Sequence, residues 1–162
     1  MTIKTGDKVP AATLMQMGDK GPQSVDLAAK LTGRKVVLFG LPGAFTGTCT
    51  TAHLPSFMRT KPQFDAKGVD EIICVSVNDP FVMKAWADST GAGEAGLTLL
   101  ADPDASFTKA IGMDFDAPPA GLFGRAKRFA MLVDNGVVSV LHDGDKPGEC
   151  TVASGETLLD SM

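Results

Sequence analysis

Lys35-Val-Val-Leu-Phe-Gly40 is an apolar, β-branched run with no polar residue between its ends, the pattern of a short strand buried on both faces. A strand covered on both sides needs helices above and below it, and that requirement confines the chain to a layered α/β architecture. Glu71-Ile-Ile-Cys-Val-Ser-Val77 is a second such strand, closed by Asn78-Asp79-Pro80, and Leu97-Thr-Leu-Leu100 is a third. The segments between them carry helical spacing. From Cys49 to Lys67 the apolar positions are Leu54, Phe57, Met58 and Phe64, with Pro55 and Pro62 expected to kink or interrupt the helix. Phe81 to Asp88 is a helix with Asp79 as its N-cap and Pro80 at its first position. Asp104 to Ile111 is another, stopped by Gly112.

Arg128-Phe-Ala-Met-Leu-Val133 and Val137-Val-Ser-Val-Leu141 flank Asp134-Asn-Gly136, a strong hairpin signal. A last helix starts near Ser154. The order β-α-β-α-β-α-β-β-α implies a central mixed sheet flanked by helices, the thioredoxin-like arrangement.

The 162 residues suit one domain, expected to span 1–162, because no linker, repeat or low-complexity stretch divides them. With 44% hydrophobic and 21% charged residues the composition is that of a soluble globular protein. A net charge of −4 argues against a sequence-independent nucleic-acid binder, and Arg125-Ala-Lys-Arg128 is too short to supply a basic face. No stretch approaches the roughly 20 apolar residues of a membrane span, so no membrane partner is expected. The N-terminus has no apolar signal core and carries an acid early, which points to the cytoplasm. Three widely spaced cysteines do not form a disulfide framework; they are packing residues or reactive thiols.

Cys49 lies where a buried strand ends, a turn containing Pro42, Gly43 and Gly47 follows, and a helix begins. The free N–H groups of a first helical turn favour an anion, so a thiol there ionises more readily than usual. In open α/β sheets this crevice beyond the strand ends is also where ligands bind. The opposing reading is a small buried hydrophobe, common for free cysteines.

The neighbours of Cys49 decide between these. Pro42, Thr46 and Cys49 spell Pro-x-x-x-Thr-x-x-Cys, which resembles the active-site signature of the peroxiredoxins. Pro42-Gly-Ala-Phe-Thr46 resembles their type II (atypical) branch within the redoxin family. The resemblance continues through His53-Leu-Pro-Ser-Phe57, Val75 to Val82 with Trp86, and Lys127-Arg-Phe-Ala-Met131, covering nearly the whole chain. It implies a thiol-dependent peroxidase acting on hydrogen peroxide and alkyl hydroperoxides, with Cys49 as the peroxidatic nucleophile that becomes a sulfenic acid. No cofactor is implied. The expected reductants are glutathione, glutaredoxin or thioredoxin. A homodimer packing loops near Phe45 and Asp79 is also expected from the family.

A thiolate attacking a peroxide needs the departing oxygen stabilised as it becomes negative. Thr46 can offer its hydroxyl to the sulfur and to the peroxide, and Pro42 can shield the sulfur from water. Arg128 resembles the family's active-site arginine, which favours the thiolate and polarises the peroxide. Arg125 and Lys127 are nearby alternatives. Taken singly, Pro42 reads as a turn residue, Thr46 as a helix-entry cap and Arg128 as a surface charge. The chain departs from many relatives at Gly47, where they carry proline, which bears on rate more than on chemistry.

His53, four residues after Cys49, shares its helical face. With His142 the only other histidine, a metal site lacks ligands, and His53 is expected at the surface or in an interface. Trp86 is expected in the core.

The sulfenic acid must be reduced by a thiol. Cys74, 25 residues on, is either the second cysteine of type II relatives or a packed core thiol. A disulfide needs Cα atoms within roughly 7 Å, which a central-strand cysteine reaches only through local unfolding. Cys150 lies in a region where some relatives place a resolving cysteine, but two positions early. If neither resolves, an external thiol does. Two other functions compete. A thiol–disulfide oxidoreductase is disfavoured because Thr46 stands where Cys-x-x-Cys needs a cysteine, and a redox-sensing interaction module would signal oxidation of Cys49 to a partner.

Overall fold

The computed structural model describes residues 2–145 and 149–162. Its centre is the pair of strands β3 (Lys35–Gly40) and β4 (Glu71–Ser76), running parallel with Val37 beside Ile72 and Phe39 beside Cys74. β5 (Thr98–Ala101) extends the parallel set beyond β4. On the other side of β3 lies β8 (Phe129–Asp134), antiparallel to it, followed by β9 (Val137–Asp143). The turn between β8 and β9 has positive φ at both Asn135 (49°) and Gly136 (81°), as a two-residue hairpin of this hand requires.

The seven-stranded sheet is completed by an N-terminal hairpin of β1 (Thr13–Gly18) and β2 (Gly21–Asp26), giving the order β2-β1-β5-β4-β3-β8-β9. This hairpin and the short helix α1 (Leu27–Leu31) carry no strong sequence signal. β2 is a half-exposed edge strand, Gly-Pro-Gln-Ser-Val-Asp, with no apolar run to reveal it. A separate two-stranded ribbon, β6 (Asp114–Ala117) and β7 (Leu122–Ala126), is likewise outside the expected order.

Alternation along the central strands sends side chains into two apolar layers. Val36 and Leu38 of β3 join Met131 and Val133 of β8 under α1 and the short helix α4 (Ser106–Ala110). Val37 and Phe39 join Cys74, Ala130 and Leu132 on the opposite face, beneath α2 (Leu54–Ala66), α3 (Pro80–Thr90) and α5 (Gly155–Asp160). Each large apolar side chain removed from water there is worth about 1.5–3 kcal/mol. The three-layer arrangement is the thioredoxin-like one expected from the strand order.

The caps follow the sequence reading. Asp79 accepts from Val82 N at 2.8 Å with Pro80 in the first turn of α3, and Ser154 accepts from Thr157 N at 3.2 Å. α4 is shorter than expected, because Ala105 has a positive φ of 61° and the helix starts only at Ser106, with the Asp102 carboxylate accepting from Phe107 N at 3.2 Å and Thr108 N at 2.8 Å. The prolines do not interrupt α2. Pro55 stands in its first turn, where a missing N–H costs nothing, and Pro62 lies inside a continuous helix. Trp86 is fully buried, as expected, with its indole N–H donating to Thr50 Oγ1 at 3.1 Å.

Candidate active site

The chain leaves β3 through Leu41-Pro-Gly-Ala-Phe-Thr-Gly-Thr48, and hydrogen bonds from three directions shape that turn. Ala44 N donates to Asn78 Oδ1 at 3.0 Å, tying it to the loop after β4. Arg125 of β7 donates to the Pro42 carbonyl at 3.0 Å. Thr46 closes the turn on itself, donating from Oγ1 to the Gly43 carbonyl at 2.6 Å. A threonine hydroxyl has one proton, so here that proton goes to Gly43 rather than to the Cys49 sulfur. Thr46 also receives Thr50 N on its carbonyl at 3.1 Å, which starts the next helical turn.

That turn, Cys49–His53, is π-helical, with Leu54 N donating to the Cys49 carbonyl. Single π turns widen a helix by one residue and recur at functional sites. This one precedes α2 and leaves Cys49 at the helix entrance, 1% exposed, on the apolar face beneath α2.

Arg128, one residue before β8, stands over the same spot. Gly40 and Phe129 are register partners, so the end of β3 and the start of β8 lie side by side. Arg128 Nη2 donates to Cys49 Sγ at 3.4 Å, and Arg128 is only 6% exposed. Of the three nearby cations, Arg128 meets the sulfur, Arg125 braces Pro42, and Lys127 is exposed at the rim. Pro42, Phe115, Lys127, Arg128, Asp143 and Asp145 line a cavity of about 290 Å³ beside the site.

His53 differs from expectation. It is fully buried, with its ring 4.9 Å from that of Phe39 and 5.6 Å from that of Phe57. Its Nδ1 lies 2.8 Å from Arg128 Nη1 and its Nε2 2.9 Å from the Ala153 carbonyl. Helical spacing put His53 on the face of Cys49, but not the fact that β8 and the C-terminal segment cover that face. Burial, then the Arg128 cation, lowers its pKa from 6.5 to about 3, against the opposing pull of Ala153 and Asp145. The ring is therefore neutral.

All three cysteines are free thiols. Cys74 is fully buried in β4, and burial followed by the nearby Cys49 pushes its pKa well up, with Arg128 opposing. Cys150 is half-buried. Its thiol is raised to about 11, by burial first, with Arg128 opposing and Asp145, Cys49 and Glu156 adding to the rise. Neither is primed as a nucleophile at neutral pH.

A buried cysteine at a helix entrance, faced by a sequestered arginine that also lines a small cavity, defines a thiol-based redox protein of thioredoxin-like fold. The redoxin family model matches residues 4–159. The chain is 46% identical to chloroplastic peroxiredoxin-2E-2 of Oryza sativa subsp. japonica, over 99% of its own length and 73% of that protein. To peroxiredoxin-2C of Arabidopsis thaliana it is 41% identical, over 99% and 98% of the two chains. The crystal structure of reduced Prx3 in complex with H2O2 from Vibrio vulnificus superimposes with a TM-score of 0.90 at 45% identity, covering 99% of each chain. The chain belongs to the redoxin family and is a type II peroxiredoxin, a thiol peroxidase.

Proposed function

We propose that Cys49 is the peroxidatic nucleophile and that Arg128, Thr46 and Pro42 complete its site. The thiolate attacks the near oxygen of a hydroperoxide, an S–O bond forms as the O–O bond breaks, and the far oxygen leaves as alkoxide or hydroxide and takes a proton. Cys49 is then a sulfenic acid. Arg128 favours the thiolate and donates to the peroxide, Thr46 turns its hydroxyl toward the developing charge, and Pro42 limits water at the sulfur. The observation that carries this reading is the 3.4 Å contact of Arg128 Nη2 with Cys49 Sγ inside a water-poor site.

One thiol condenses with the sulfenic acid, releasing water and leaving a mixed disulfide, and a second thiol releases Cys49 as the oxidised pair departs. Because Cys74 is fully buried and Cys150 has a raised pKa, an external thiol is favoured over an internal resolving cysteine. Glutathione with glutaredoxin, or thioredoxin, is the donor. The reaction serves redox homeostasis in the cytoplasm. A homodimer is favoured by the exposed Phe45, in the turn after β3, and Phe81, in the first turn of α3, 55% and 63% accessible.

The test is peroxide consumption with the thioredoxin system, with glutaredoxin plus glutathione, and with glutathione alone, on wild type and Cys49→Ser. A sulfenic acid trap read by intact mass should mark wild type only. Substantial turnover by Cys49→Ser would remove the central residue of the scheme.

A further inference from the structure

The peroxide chemistry above makes no use of His53, yet His53 holds the arginine. A guanidinium has only donors, so the Nδ1 facing Arg128 Nη1 at 2.8 Å is the bare nitrogen. The ring proton therefore sits on Nε2, which donates to the Ala153 carbonyl at 2.9 Å. Among the described residues no carboxylate comes within ion-pair distance of Arg128. A carboxylate in the place of His53 would pair with the guanidinium and compete with the thiolate for its charge. A neutral imidazole fixes the group and leaves the charge facing the sulfur.

The far side of the ring is held by a built segment. Asp145 accepts from Thr151 N and Val152 N at 3.0 Å each and from Ala153 N at 2.9 Å, shaping the stretch that presents the Ala153 carbonyl. Two residues on, Gly155 N donates to Ser56 Oγ at 2.9 Å, and Ser56 donates to the His53 carbonyl at 2.7 Å. Both the ring and the backbone of His53 are thus joined to the C-terminal segment. We infer that His53 is a positioning residue for the peroxidase reaction: a hydrogen-bond relay that orients the Arg128 guanidinium on Cys49 and ties that orientation to the segment carrying Ala153. This rests on the role proposed for Cys49, and Cys49→Ser tests that role separately.

Two substitutions separate positioning from packing. His53→Leu fills the space without either hydrogen bond, and His53→Gln offers an acceptor and a donor. In single-turnover stopped-flow, His53→Leu should slow the peroxide step about 10- to 100-fold, the usual result of misplacing a reacting group. His53→Gln should recover the peroxide step to within about threefold through its equivalent donor and acceptor. A folded His53→Leu protein with a wild-type rate overturns the inference, whatever its melting temperature.

Should His53→Leu fail to fold, two further measurements decide. Imidazole 15N shifts of the wild type should show bare Nδ1 and protonated Nε2 throughout pH 6–9; an imidazolium, or a proton on Nδ1, overturns the inference. A β-carbon at residue 155 would collide with the Ser56 backbone carbonyl, so Gly155→Ala pushes the segment away from His53 without substituting any residue that lines the cavity. It should slow the peroxide step several-fold, and an unchanged rate overturns the link to the segment.

Discussion

Gly40 and Phe129 are register partners across β3 and β8, and the Phe129 ring occupies the space a β-carbon on residue 40 would need. That close approach sets where Arg128 stands, because it is the residue just before Phe129. Gly40→Ala should lower stability by about 1–3 kcal/mol, the usual cost of overpacking a filled core. It should also slow the peroxide step, because the start of β8 must move. Denaturant unfolding and stopped-flow peroxide consumption measure the two effects. An unchanged rate in a destabilised protein would separate the strand register from the placement of Arg128.

Arg128→Lys retains a cation but cannot present two parallel donors, so it should lose much of the rate. Arg128→Gln removes the charge as well and should slow the peroxide step more. If both variants match wild type in rate, Arg128 does not act in the peroxide step.

Thr46→Val keeps the shape and removes the hydroxyl. Loss of one donor to a developing negative oxygen typically costs on the order of 100-fold in rate. The variant also loses the bond to the Gly43 carbonyl, so its stability should be measured beside its rate. A stable, fully active Thr46→Val protein would leave the residue a turn-closing role only.

Cys74→Ser and Cys150→Ser should each keep at least part of the turnover with glutathione-type donors. Mass spectrometry of the oxidised wild type should show a mixed disulfide on Cys49 when glutathione is present. An internal Cys49–Cys74 or Cys49–Cys150 disulfide as the dominant product would identify a resolving cysteine instead.

Burial of His53 also makes stability depend on pH. Its pKa falls from 6.5 to about 3 on folding, so below pH 6.5 the unfolded chain takes up a proton that the folded chain refuses. The native state is therefore fully stable with respect to this group above pH 6.5 and loses stability as pH falls toward about 3. Near pH 5 the loss is about 2 kcal/mol, at about 1.36 kcal/mol per pH unit. His53→Gln has no such group, so its melting temperature should fall less than that of wild type between pH 7 and 5. Equal acid sensitivity of the two proteins would show that His53 is not the group responsible.

Much of this molecule is legible in its sequence. The apolar runs at 35–40 and 71–77, the Asn135-Gly136 turn and the Asp79 and Ser154 caps are local patterns, each acting over a few residues, and each appears where it was read. Hydrophobic periodicity therefore specified the central sheet and its helices, and the spacing of Pro42, Thr46 and Cys49 marked the loop that carries the chemistry. The edge hairpin β1–β2 escaped because a half-exposed edge strand needs no apolar run. His53 and Arg128 are different. They lie 75 residues apart in sequence and meet at 2.8 Å only because β8 pairs beside β3 and the C-terminal segment folds back over α2. Burial and the hydrogen bonds it demands are properties of that packed arrangement. Residue types and spacing determined what the site contains, whereas tertiary packing decided which histidine is neutral, which cation faces the sulfur and what holds it there.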